Sequence, residues 1–66
     1  MDDEKIKQHW ELIKLCALHS YLPDQSHAAV KDIVRAYGQQ VDINCGTCIF
    51  DMMKRIYNVK KEKFGA

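Results

Sequence analysis

Apolar residues recur at spacings of three and four in three stretches of this chain, the period of an amphipathic helix. In the first stretch Ile6, Trp10, Ile13 and Ala17 line one face, flanked by Leu12 and Cys16. Asp2 or Asp3 suits the N-cap, so a helix is predicted over about residues 3–20. Tyr21-Leu22-Pro23-Asp24 stops it: Pro23 disfavours helix at Leu22, and Asp24 is able to cap the next element. The second stretch, about 25–37, places Ala29, Val30, Ile33, Val34 and Tyr37 on one face, with Gly38 as a C-terminal stop. In the third, about 45–57, Cys45, Cys48, Ile49, Met52, Met53 and Ile56 share a broad face, with Asn44 or Asp42 as the cap. Asp51, Lys54 and Arg55 take the other side.

The intervening segment, residues 39–44, reads as extended. Val41 and Ile43 alternate with polar residues too briefly to support a sheet, and are expected to plug the end of a bundle. From about residue 59 the chain is predicted to be a frayed tail. The expected fold is all-α: a compact three-helix bundle (about 3–20, 25–37 and 45–57) in a single small domain spanning 1–66.

Size sharpens this picture. A chain of 66 residues buries only about 60% of its unfolded surface, so its stability is marginal and a disulfide, metal or oligomeric contact would help. The 47% apolar and 29% charged composition is that of a globular protein. A net charge of +1 gives no global field toward nucleic acid, although Lys54, Arg55, Lys60, Lys61 and Lys63 make the C-terminal third basic. No apolar run approaches the ~18 residues of a membrane span. The acidic start, Met1-Asp2-Asp3-Glu4, is unlike a secretory signal. Three cysteines, an odd number, argue against a disulfide scaffold. A reducing cytoplasm with free or metal-bound thiols is therefore expected.

The sharpest chemical signal is Cys45-Gly46-Thr47-Cys48 at the predicted start of the third helix. Three accounts compete. Cysteine is often a small buried hydrophobe, and Cys16, Cys45 and Cys48 all fall on core-facing positions; packing is the preferred account. Zinc would need four N or S ligands, for which Cys45 and Cys48 with Cys16 and His19 are the candidates, though His9 and His27 compete for the last place. Thiol redox chemistry ranks third: a helix N-terminus favours a thiolate, but the strand-based context of such motifs is missing. No resident cofactor is expected.

Phe50, Met53 and Tyr57 widen the apolar arc of the third helix and are the candidate interface, for a protein partner or a second copy of the chain. Lys54, Arg55, Lys60 and Lys61 are the candidate phosphate contacts. Nucleic-acid binding ranks lower, because the first turn of the third helix offers no Arg, Asn or Gln to read bases. No Gly-rich phosphate loop, nucleophile elbow or paired carboxylate is present, so no catalytic residue is assigned and an enzyme is not expected.

The block Ile43-Asn44-Cys45-Gly46-Thr47-Cys48-Ile49, with the short basic helix after it, resembles blocks in small uncharacterised helical proteins of tailed phages and prophages. The resemblance covers roughly a third of the chain. It implies a phage or mobile-element setting, hence a host cytoplasm, and no activity. The expected function is a non-enzymatic binding or self-associating module acting on a host or phage protein. A zinc-stabilised or DNA-contacting accessory is the alternative, with a CxxC thiol redox protein as the second.

Overall fold

The computed structural model describes residues 1–65. Four helices form among them, with no strand: α1 (Asp3–Gln8), α2 (Trp10–His19), α3 (His27–Tyr37) and α4 (Gly46–Phe64). The all-α class is as expected; the number of helices is not. The predicted first helix divides at His9, whose backbone (φ −104°, ψ 18°) leaves the helical region. Neither proline nor glycine causes the break. The two halves pack on different partners, α1 against α3 and α2 against α4. The His9 imidazole at the break lies 3.5 Å from the Asp32 carboxylate of α3.

The helix ends follow local chemistry. Asp2 caps α1, its side chain accepting the Lys5 N–H, and the Asp2 N–H donates to the carbonyl of Ala36 at 2.8 Å. Helix α2 stops at Ser20, which adopts a left-handed conformation. The second predicted helix starts two residues late, because the Ser26 N–H and hydroxyl both turn back to the Pro23 carbonyl and Asp24 caps nothing. Gly38 closes α3 with φ 80°, as a C-terminal glycine should. Before α4, Asp42 accepts the Asn44 N–H on its side chain and the Cys45 N–H on its carbonyl. Cys45 itself is the N-cap.

The core gathers Ile6, Trp10, Ile13 and Cys16 from the first two helices, Val30, Ile33 and Ala36 from α3, and Ile49, Met52, Met53 and Ile56 from α4. Val41 and Ile43 are partly buried and pack against it. The frayed tail is a correction: α4 continues to Phe64. Lys60 and Lys63 pair with Asp3, Phe64 meets the Trp10 ring edge-on at 5.3 Å, and the Trp10 indole N–H donates to the Gly65 carbonyl at 2.8 Å. Four contacts to the N-terminal helices hold what composition alone marks as solvated.

Candidate functional site

The first turn of α4 carries the most reactive chemistry. Cys45 and Cys48 are joined as a disulfide. Cys45 is half-buried, and its Sγ accepts the Cys48 N–H at 3.2 Å. Cys48 is exposed. The inward-packing account and the expectation of free or metal-bound thiols are thereby both corrected for this pair. At 3.6 residues per turn, Cys48 lies about 90° from the centre of the Ile49–Met52–Met53–Ile56 face, and Cys45 precedes the helix altogether. The account holds for Cys16 alone, which is 0% exposed and whose thiol is pushed up from its ordinary pKa by burial.

Cys48 borders an open groove of about 280 Å³. Tyr37, Gln39, Gln40 and Val41 form one wall; Asp51, Met52 and Arg55 of α4 form the other. The four candidate zinc ligands do not assemble: Cys16 is enclosed, His19 is exposed at the end of α2, and Cys45 and Cys48 bond to each other. Among the described residues no three His, Cys, Asp or Glu side chains converge as a metal ion would require.

The candidate interface on α4 is largely consumed by the fold. Met53 is 0% exposed, Phe50 packs against the core, and Tyr57 stacks on Trp10 with ring centroids 5.6 Å apart. The wide apolar arc exists because α2 places an indole on it. Of the candidate phosphate contacts, Lys54, Arg55 and Lys61 are exposed, whereas Lys60 is 2.8 Å from Asp3 and serves the fold. The lysines act on that carboxyl in return: hydrogen bonds from Lys60 first, and then Lys63, lower Asp3 to about 2.

The unpartnered apolar surface lies elsewhere. Seven of the ten residues of α2 are apolar, yet only Trp10, Ile13 and Cys16 are buried. On the opposite side, Glu11, Lys14, Leu15 and Leu18 follow at i, i+3, i+4 and i+7 around a shallow hollow of about 270 Å³. Leu18 is 55% exposed, and Tyr21, just past the helix, is 56% exposed. The sequence carried this signal: Leu15 and Leu18 make α2 apolar on both sides, whereas a surface helix shows one stripe. No described helix is long and apolar enough to cross a membrane.

These features define a small all-α protein with a surface CxxC disulfide and one unpartnered apolar helix face. No family model matches this chain, nor does any curated protein or solved structure.

Proposed function

We propose that the chain is a non-enzymatic module that self-associates through the outer face of α2. The observation that carries this reading is Leu18, left 55% exposed near the C-terminal end of a face it shares with Leu15. Apolar side chains placed together on a helix gain from being covered, at about 25 cal/mol per Å². A second copy of the chain suits the face by charge. Glu11 and Lys14, 3.6 Å apart within it, carry opposite charges, so two copies meet there without a net like-charge repulsion. The resemblance to phage proteins supplies the setting, a host cytoplasm in which the assembled module acts on a host or phage protein.

A ten-residue helix is only about 15 Å long, so one such face falls short of a standard interface and the association is weak. Sedimentation across a micromolar to millimolar series tests it. The native protein should shift reversibly from one chain to two as concentration rises, and Leu18→Glu should remain one chain with an unchanged melting temperature. A native mass of one chain throughout refutes self-association. A Leu18→Glu protein that associates as the native one does refutes the surface.

A further inference from the structure

The disulfide at the start of α4 joins two unlike cysteines, and the difference has a chemical direction. Cys48 is exposed and borders the groove between residues 37–42 and α4. Approach over the first turn is open as well, since a Cβ placed on Gly46 would meet nothing within 4 Å. Cys45 is half-buried, caps a 19-residue helix and already accepts the Cys48 N–H on its sulfur. Negative charge is favoured at that end of a helix. In thiol–disulfide exchange the accessible sulfur is attacked, and the sulfur better able to hold a negative charge departs.

We propose that Cys45–Cys48 is a thiol–disulfide exchange site for external thiols, with Cys48 the sulfur attacked and Cys45 the leaving group. The incoming thiolate bonds to Cys48 Sγ. The Cys45–Cys48 bond breaks, and its electron pair remains on Cys45, where the Cys48 N–H and the end of α4 hold the new thiolate. A second thiolate then attacks the incoming sulfur, forms the external disulfide and releases Cys48 as a thiolate. Two external thiols are oxidised to one disulfide. Cys45 and Cys48 are reduced to two thiols and take up the two protons the external thiols lose. Cys16, at 0% exposed, stays outside the exchange, so the odd thiol does not scramble the pair. The site lies on α4 and the associating face on α2, so the two activities stand or fall separately.

Glutathione is the probe. The full chain, native and Leu18→Glu, is equilibrated in buffers of varied reduced-to-oxidised glutathione ratio. It is then quenched with acid, alkylated and mapped by mass spectrometry. The Cys45–Cys48 pair should interconvert reversibly between dithiol and disulfide in both proteins. Early in reduction, glutathione should be found on Cys48 over Cys45 by about fivefold or more, the order of factor a helix terminus supplies. Cys45→Ser should accumulate the Cys48 adduct, and Cys48→Ser should accumulate several-fold less on Cys45. If either variant fails to fold by circular dichroism, the adduct positions in the native chain decide alone. A pair that stays oxidised, or stays reduced, at every ratio overturns the proposal. So does an adduct found equally or mainly on Cys45.

Discussion

Truncation of Phe64 to alanine tests whether the end of α4 is part of the fold. Phe64 is half-buried against the Trp10 ring, in a turn whose lysines reach Asp3. A fully buried Phe→Ala change costs about 3–5 kcal/mol, so a half-buried ring stands to lose roughly 1.5–2.5 kcal/mol, its edge-on aromatic contact included. That is a large share of the total, since a domain of this length holds only about 3–10 kcal/mol. At about 4–8 °C per kcal/mol for a domain this small, the melting temperature should fall by roughly 6–20 °C. Circular dichroism gives the midpoint. Urea titration followed by fluorescence of Trp10, the one tryptophan, reports the site itself. Val59→Ala, at a position 64% exposed on the same helix, is the control and should move stability by less than about 0.5 kcal/mol. If Phe64→Ala moves stability no more than that control, the docked tail is refuted.

Acid should release the same tail. Because Asp3 is lowered from 3.8 to about 2 in the folded chain, its contribution is present above pH 3.8 and is lost as the pH falls toward 2; Trp10 fluorescence should show a step there that Asp3→Asn lacks, and matching titrations would refute the Lys60–Asp3–Lys63 cluster as its cause. Cys16, buried and with its thiol pushed up, should resist maleimide at neutral pH in the folded chain and react once urea unfolds it; equal rates in both states would contradict its burial. Duplex DNA should bind weakly, without sequence preference and less so as salt rises, because only Lys54, Arg55 and Lys61 of the four candidate contacts are free of the fold. A sequence-specific submicromolar complex at physiological salt would overturn that expectation.

The helical class, Val30 and Ile33 of α3, the Ile49–Met52–Met53–Ile56 face of α4, the Asp2 cap and the Gly38 stop were legible in the sequence. Each depends on interactions a few residues apart, which periodicity and capping chemistry encode directly. Contacts between residues distant in sequence decided the rest. The break at His9 has no proline or glycine to announce it, and the two halves of one apolar stripe pack on different helices. Lys60 and Lys63 resemble any solvated basic tail until Asp3, some sixty residues away, is brought against them. Tyr57 widened an apparent surface arc only because the indole that covers it belongs to another helix. Cys48 is the opposite case: it sits at the edge of an apolar arc, and such an edge residue is buried or exposed according to how far the neighbouring helices reach. Here Cys48 is exposed and Cys45 half-buried.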